Sequence, residues 1–256
     1  IDEVKDSCET RMSVSLDETS PTGGKLSLHW NPQDEVGVFT DAAENNVRYK
    51  NTASANAKTV TFASTSPVTG TPTYAYYPYS ETVSDVNDLY FELATDQDGD
   101  GYEVSDFLWA KTEGVARSGG PVTLPMKHLM SKLTVNIIKG EDFEGDIPED
   151  MTVYIHSTVA DCLIDLSTGD VVKDPYASVK TITARKIDAG THTAIIVPQM
   201  LTNKKPLLEI IFKDVSYMIE SKFQFKTGMH HVLNVTLNNN PDKVKIEVGG
   251  EIEGWE

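Results

Sequence analysis

Apolar and polar residues alternate along much of this chain with a period of two. Strict alternation over short runs is the pattern of half-buried β-strands. The alternating runs are Met12–Leu16, Leu26–Trp30, Val36–Thr40, Leu133–Ile137, Val153–Ile155 and Val244–Val248. No longer stretch has the spacing of three and four that is typical of an amphipathic helix, and only one helical turn is expected, near residues 41–46. The pattern therefore predicts an all-β chain.

Turns rich in glycine and proline separate the predicted strands, and one of them lies near the middle of the chain. Ser118–Pro121 contains two glycines and ends in proline, which is typical of a linker. We therefore predict two tandem antiparallel β-sandwich domains, residues 1–118 and residues 119–256. Each part has a length that suits one sandwich of about 100 residues.

The acidic net charge of the chain makes some kinds of binding partner unsuitable. The 256 residues include 22 Lys and Arg and 39 Asp and Glu, which gives a formal net charge of −17. Nucleic-acid phosphates require clustered basic side chains, so this balance argues against a nucleic-acid partner. The two cysteines, Cys8 and Cys162, are too few for a disulfide scaffold, and we expect them to be unpaired thiols.

The sequence lacks the signatures of catalytic and cofactor sites. It contains no nucleophile elbow, phosphate-binding loop, dinucleotide fingerprint or zinc-protease spacing. His230 and His231 are adjacent, so on a strand they face opposite surfaces and cannot bind one metal ion together. We expect both histidines on the surface or in a loop. The sequence therefore predicts a protein that is not an enzyme and has no cofactor.

One acidic segment has the beginning of a calcium-binding loop. Asp96, Asp98 and Asp100 occupy alternate positions before a glycine, as the oxygen ligands of such loops do. The glutamate that closes the loop is missing, so Glu103 or Asp106 would have to replace it. The other interpretation is a solvated acidic turn, which leaves calcium as a secondary candidate.

An aromatic cluster occupies residues Tyr74–Tyr79. Tyr74 and Tyr76 share one face of a strand, and Pro78 is expected to end that strand at a sheet edge. Packing in a core is the interpretation that we favour. The alternative is a surface that stacks against sugars, with Trp109 as a second candidate for that role.

The C-terminal segment predicts a long amphipathic strand. Its alternation places Val244, Ile246, Val248 and Ile252 on one face and charged residues on the other. Closure of its own sheet is the default. The alternative is pairing with a sheet edge of another subunit, in which main-chain hydrogen bonds give affinity and alternate side chains fill pockets.

Several short motifs follow one another in a defined order. They are Leu28–Phe39, Asn46–Tyr49, Tyr74–Tyr79, Asp106–Ala110, Leu124–Ile137, Ile196–Gln199 and Gly228–Leu237. Together they resemble the Bacteroidales fimbrillin family, whose members are subunits and tip proteins of type V pili. The chain departs from the family pattern at Gln33, where glycine is usual, and at His231 and Leu233, where aromatic residues are usual. The resemblance favours packing for the tyrosine cluster and weakens the calcium interpretation.

The resemblance implies two transthyretin-like sandwiches, export as a lipoprotein and assembly by strand exchange. In that scheme, an outer-membrane precursor loses its first strand after an Arg-specific cut, and the exposed groove accepts a terminal strand of the next subunit. Arg11 is the candidate processing site, with an ordinary surface arginine as the alternative. Residues 243–255 are the candidate donor strand.

We therefore predict a structural or accessory subunit of a type V pilus that supports cell adhesion. Its partners would be other fimbrillin-type subunits, with a lipid anchor in the precursor. Its location would be the outer membrane or fimbrium of a Gram-negative bacterium. The alternative is an adhesin that binds carbohydrate or a host protein at a pilus tip.

Overall fold

The structure, a computed structural model, describes residues 12–16, 30–40, 46–55, 59–64, 72–111 and 122–253. Nearly all of its elements are strands, so the prediction of an all-β chain is confirmed. The strands are β1 (Met12–Leu16), β2 (Glu35–Thr40), β3 (Val47–Asn51), β4 (Thr59–Ala63), β5 (Pro72–Tyr77), β6 (Leu89–Glu92), β7 (Leu108–Lys111), β8 (Val122–His128), β9 (Ser131–Lys139), β10 (Thr152–Val159), β11 (Asp161–Asp165), β12 (Asp170–Lys173), β13 (Val179–Thr183), β14 (Arg185–Asp188), β15 (Thr191–Ile196), β16 (Gln199–Phe212), β17 (Val215–Phe225), β18 (Met229–Leu237) and β19 (Lys245–Glu253).

Two short helices complete the described part of the chain, namely α1 (Gly101–Val104) and a 3-10 helix (Pro241–Lys243). The helical turn predicted near residues 41–46 falls almost entirely outside the described residues. The alternation of apolar and polar residues could not predict α1, because this helix is a single turn within the acidic loop.

Seven strands form a closed barrel in the order β1, β4, β3, β2, β5, β7 and β8. The strand β1 pairs antiparallel with β4 and parallel with β8, and the parallel pair closes the barrel. Closure leaves these strands without a free edge, whereas the prediction placed them in a two-sheet sandwich. The buried residues of the barrel core are Trp30, Val36, Val38, Tyr49, Val60, Phe62, Ala75, Leu108, Ala110, Leu124 and Met126.

A glycine and a tyrosine from two of the sequence motifs pack together on β2 and β5. Gly37 lies directly opposite Tyr76, and a Cβ atom at Gly37 would lie 2.1 Å from Cε1 of the tyrosine ring. The Tyr76 hydroxyl lies 2.8 Å from Asn46 Oδ1 and 3.0 Å from the Ser80 carbonyl oxygen. The ring stacks on Phe107 with centroids 6.1 Å apart. Burial raises the pKa of Tyr76 to about 12. The glycine is required because the ring occupies the space of a side chain.

Two further sheets face each other across a second core. One has the order β13, β10, β16, β17, and the other has the order β14, β15, β9, β18, β19, with β9 and β18 parallel. A third sheet has the order β12, β11, β6. The core between the first two sheets is formed by aliphatic and aromatic side chains that include Leu133, Val135, Val153, Ile155, Ile196, Leu208, Ile210, Phe225, Leu233 and Val235.

The chain divides into two compact units, each built from three stretches. The first comprises Ile1–Leu89, Phe107–Lys127 and Asp165–Asp170, and the second comprises Tyr90–Asp106, His128–Ile164 and Val171–Glu256. The barrel lies in the first unit and the two facing sheets lie in the second. The predicted boundary between residues 118 and 119 falls outside the described residues, so the division into 1–118 and 119–256 stays a prediction.

Two buried glutamines in the second unit bind the backbone as a neighbouring strand would. Gln97 accepts a hydrogen bond from the Ile195 N–H at 2.7 Å and donates one to the Ile195 carbonyl at 2.9 Å. Gln199 accepts a hydrogen bond from the Val159 N–H at 3.0 Å and donates one to the Val159 carbonyl at 2.9 Å. It also donates to the Val197 carbonyl at 3.0 Å. Each side chain thus satisfies backbone groups that would otherwise be buried without a partner.

We expect Gln199→Met to lower the free energy of unfolding by about 2 kcal/mol, because it leaves the backbone groups of Val159 and the Val197 carbonyl unpaired in the interior. Urea denaturation measures the change. Gln33→Met, at an exposed position, is the matched control and should change stability by less than about 0.5 kcal/mol. Equal effects of the two substitutions would contradict the role of Gln199.

Candidate functional site

The C-terminal segment forms β19 at the edge of its own sheet. It pairs antiparallel with β18, from Thr236 opposite Lys245 to Met229 opposite Glu253. The preceding 3-10 helix is capped by the Asn240 side chain, which accepts a hydrogen bond from a backbone N–H at 2.9 Å. Closure of its own sheet, the default expectation for this strand, is therefore what the structure has.

The apolar residues of this segment differ in how far their side chains are buried in their own unit. Val244 and Ile246 are half-buried and pack against the core of the second unit. Val248 lies on the same face, since it is directly opposite the buried Leu233. Its side chain is nevertheless 66% exposed. The unit therefore buries only part of the apolar face of β19.

The prediction that Ile252 shares this face is wrong, because the pairing with β18 shifts by one residue at Gly249. Beyond the shift, Glu251 lies opposite His231 and Ile252 lies opposite His230. An extra residue in one strand of a pair reverses the face of every residue that follows it. Glu251 therefore lies on the same face as Val248, where the alternation had placed Ile252.

A polar contact holds the end of β19 to its own unit. The Lys226 ammonium lies 2.6 Å from Glu251 Oε2, and His231 Nδ1 lies 3.4 Å from Glu251 Oε1. His231 Nε2 accepts the Lys226 N–H at 3.0 Å, which assigns the ring proton to Nδ1, facing the carboxylate. The hydrogen bond from Lys226 lowers the pKa of Glu251, and burial lowers the pKa of His231.

A cleft of about 470 Å³ lies at the base of β19. Its lining residues, which carry charges of both signs, are Glu141, Asp142, Asn238, Asp242, Lys243, Val244 and Lys245. The Asn239 N–H donates to Asp142 Oδ1 at 3.2 Å and ties the turn before β19 to this wall. The beginning of β19 therefore borders on open space as well as on the core.

The candidate processing residue Arg11 lies outside the described residues. The strand β1 begins at the next residue, Met12, and pairs on both sides, with β4 and with β8. A cut after Arg11 would therefore leave the whole of β1 in the barrel. If processing at this site removes a strand, that strand precedes Met12 and is not β1.

The tyrosine cluster belongs to the barrel and does not form an exposed surface. Tyr76 is fully buried, while Tyr74, Tyr77 and Tyr79 are half-buried. The strand β5 ends before Pro78, as predicted, but it lies between β2 and β7 and not at an edge. Trp109 is also half-buried, and its indole N–H donates to the Leu166 carbonyl at 2.8 Å. The packing interpretation is confirmed for this cluster.

The acidic loop uses its carboxylates in local hydrogen bonds. Asp96 Oδ1 accepts the Asp98 N–H at 3.1 Å, and Asp98 Oδ1 accepts the Lys186 N–H at 3.1 Å. Asp100 occupies the N-cap position of α1. Within the described ranges, no group of three or more His, Cys, Asp or Glu side chains is placed to hold a metal ion. The structure therefore does not bring the three candidate calcium ligands together.

Two of the sequence motifs meet in a group of ionisable side chains in the second unit. Asp106 Oδ1 lies 2.8 Å from His128 Nδ1. The Lys132 side chain is buried nearby, and its burial lowers its pKa while Asp106 opposes that shift.

The adjacent His230 and His231 do face opposite surfaces, but both are buried, so the expectation of surface or loop positions is wrong. Both lie on β18, an internal strand of its sheet.

Two aromatic residues that the sequence analysis did not single out are exposed among the described residues. Tyr176 is 96% exposed and Tyr90 is 53% exposed. The Tyr90 hydroxyl bonds to the Asp161 carboxylate, which raises the pKa of this tyrosine. Lys180 lies 2.7 Å from Glu92 and 3.3 Å from Asp161. Single tyrosines at strand ends and in turns have no pattern that separates exposed from packed positions.

The cysteine that the structure describes, Cys162, is a free, buried thiol. Burial raises its pKa to about 12, so it is not a reactive nucleophile. Cys8 lies outside the described residues. Among the helices of the described chain, none has both the length and the apolar character needed to span a membrane.

Comparison with known proteins gives one family match. A model of the fimbrillin-like family matches residues 10–255. The chain is similar in structure to a candidate cell adhesion protein from Bacteroides ovatus ATCC 8483, with 20% identity, a TM-score of 0.72, and coverage of 97% of this chain and 98% of the other. A comparison with curated protein sequences finds no match.

Two further solved structures share the fold. A candidate cell adhesion protein from Bacteroides uniformis ATCC 8492 is 18% identical, with a TM-score of 0.69 and coverage of 97% and 98% of the two chains. A fimbrial protein from Bacteroides vulgatus ATCC 8482 is 13% identical, with a TM-score of 0.51 and coverage of 96% and 99%. At these identities the likeness establishes the fold alone.

Proposed function

The chain belongs to the fimbrillin-like family, and from this premise we propose that it is a structural or accessory subunit of a type V pilus. In this role it assembles with other fimbrillin-type subunits by β-strand exchange and supports cell adhesion. The donor in the exchange is the C-terminal strand, residues 243–255. The subunit works at the cell surface of a Gram-negative bacterium and carries out no catalysis.

The observation that carries the proposal is that the second unit buries only part of the apolar face of β19. This strand lies at a sheet edge, and Val248 remains 66% exposed on the face that points toward the core. A strand that pairs with a sheet edge of another subunit places its alternate side chains in pockets there. Val244, Ile246 and Val248 fit such a groove as three alternate positions.

We expect Val248→Asp to abolish incorporation into fibres while the isolated subunit remains folded. The side chain is largely exposed in its own unit, so the free energy of unfolding should change by less than about 0.5 kcal/mol. In a groove, the carboxylate would be buried without a partner. Immunoblots of the sheared surface fraction and immunogold electron microscopy of cells that produce the full chain measure incorporation.

The control is Glu247→Gln, an exposed change at the next position on the opposite face of β19. It should enter fibres as the unchanged chain does. Normal incorporation of Val248→Asp would refute the donor role of this strand. Absence of the unchanged chain from fibres would refute the subunit role itself.

Three finer features belong to the same proposal. The precursor is exported as a lipoprotein to the outer membrane, and a cut after Arg11 releases the mature chain. N-terminal sequencing of the surface-exposed form tests this step, which predicts Met12 as the first residue. The second unit, in which two sheets face each other, is a variant of the transthyretin-like or immunoglobulin-like sandwich.

The second candidate role is an adhesin that binds carbohydrate or a host protein at a pilus tip. The packed tyrosine cluster and Trp109 do not favour it, whereas the exposed rings of Tyr90 and Tyr176 do. Aromatic faces next to polar groups are suited to sugar binding. A glycan array with the unchanged chain and with Tyr176→Ala distinguishes this role from a purely structural one.

A further inference from the structure

The sheet β13, β10, β16, β17 has two edges, and another segment of the described chain covers the end of one of them. Beside β13, the Gln97 N–H donates to the Thr183 carbonyl at 3.0 Å, and the Thr183 N–H donates to the Thr95 carbonyl at 2.7 Å. The chain then passes from β13 into β14 of the facing sheet through Ala184. The end of this edge, at Thr183, is therefore covered by residues 95–97.

The other edge is β17, an eleven-residue strand whose partner among the described strands is β16 alone. Within the described ranges, no backbone hydrogen bond joins its outer edge to another segment, including the 3-10 helix Pro241–Lys243 that lies beside it. An edge of this length presents a row of free N–H and C=O groups to another strand.

Two edge strands of the second unit, β19 and β17, differ in how they are protected from pairing. The strand β19 carries four charged residues and a one-residue shift at Gly249, which are features that keep edges from pairing. The strand β17 has only Glu220 and Lys222 as charged residues, and its register shifts belong to its partner β16. The less protected edge is therefore β17.

We propose that β17 is an interaction surface for a second copy of this chain, through antiparallel pairing of β17 with β17 about a two-fold axis at Ser221. In this register Glu220 lies opposite Lys222 of the second copy, and the symmetry creates this ion pair twice. The pairing joins two four-stranded sheets into one and is separate from strand exchange through β19.

The charges and the buried face select this register. Tyr217, Ile219 and Phe225 are buried on the core side, and a shift by one residue would place these positions opposite outward-facing ones. The smallest shifts that keep the faces matched move the axis by one residue and put either Glu220 or Lys222 on it, opposite its own copy. Like charges directly opposite each other are destabilising.

The register also matches apolar residues on the core side. Ile219 lies opposite Phe223 of the second copy, and Tyr217 lies opposite Phe225 of the second copy. The half-buried Phe223 would then pack against Ile219 of the second copy at the edge of the core. Because each copy has a net charge of −17, overall repulsion opposes pairing, and moderate salt should favour the dimer.

Sedimentation velocity of the full chain over a range of concentrations tests the proposal. The unchanged chain should show a reversible monomer–dimer equilibrium. Glu220→Lys or Lys222→Glu alone should weaken dimerisation by about tenfold or more, because each converts two ion pairs into two like-charge pairs. Both residues are exposed, so folding should be unaffected.

The rescue variants make the test specific. The double change Glu220→Lys with Lys222→Glu restores both ion pairs and should dimerise as the unchanged chain does. An equimolar mixture of the two single variants should form a heterodimer, because one carries two positive and the other two negative side chains. A monomer at all concentrations, failure of either rescue, or a dimer that Val248→Asp disrupts and Glu220→Lys does not would each overturn the proposal.

Discussion

Replacement of Gly37 by valine is expected to unfold the barrel of the first unit. A Cβ atom at this position would lie 2.1 Å from Cε1 and 2.4 Å from Cζ of Tyr76. The ring cannot give way, because it is fully buried, stacks near Phe39 and Phe107, and has its hydroxyl bonded to Asn46. Displacing a buried aromatic ring costs as much as losing its packing, so we expect a loss of more than about 4 kcal/mol.

Thermal unfolding followed by near-ultraviolet circular dichroism measures this loss through the signals of the packed tyrosines. Gly250→Ala is the matched control, because Gly250 also lies in a strand and a Cβ atom there meets nothing within 4 Å. The control should remain within about 0.5 kcal/mol of the unchanged chain. Native stability of Gly37→Val would show that the ring does not fill the space above the glycine.

Acidification between pH 6.5 and about pH 4 is expected to destabilise the second unit through His230. Burial is the largest cause that lowers the pKa of this histidine from 6.5 to about 4, and the charge of Lys132 adds to the effect. The folded chain therefore keeps the ring neutral in this range, while the unfolded chain binds a proton. Stability is full above pH 6.5 and falls with pH until about pH 4, by about 3 kcal/mol in total.

Urea denaturation at a series of pH values measures this dependence. His230→Gln removes this titrating group and should make the slope between pH 6.5 and pH 4.5 shallower, even if its stability at pH 8 is lower. The slope that remains comes from His192 and His231, because burial lowers the pKa of both. Below pH 4.5, the carboxyls with lowered pKa values, Glu209 and Glu251, add an acid dependence of the same sign. An unchanged slope in the variant would contradict the assignment to His230.

The alternation of residues predicted individual strands well, because it depends only on which face of a strand is buried. The runs Met12–Leu16 and Val36–Thr40 coincide with β1 and most of β2. The sharp turn at Lys213 and Asp214, with φ angles of 48° and 59°, was not predicted. Neither residue is the glycine or asparagine that usually marks a left-handed backbone.

The candidate assembly strand shows where such a prediction fails. Alternation placed four apolar residues on one face, and Val244, Ile246 and Val248 are on it. Ile252 is not, because the extra residue at Gly249 reverses the order of faces. Two consecutive glycines permit a bulge without requiring one. The bulge is set by the pairing of β19 with β18, which is a contact between distant parts of the chain.

The amino-acid sequence by itself determined the all-β class, the positions of the main strands and the family, since these depend on local alternation and on short motifs. Only the tertiary structure decided that β19 lies in its own sheet, that Val248 is exposed there, and that the edge of β17 is open. Sequence periodicity states which face of a strand is apolar, but not which strand lies beside it. Strand neighbours are chosen by packing between distant segments, and the free edges of the protein follow from that choice.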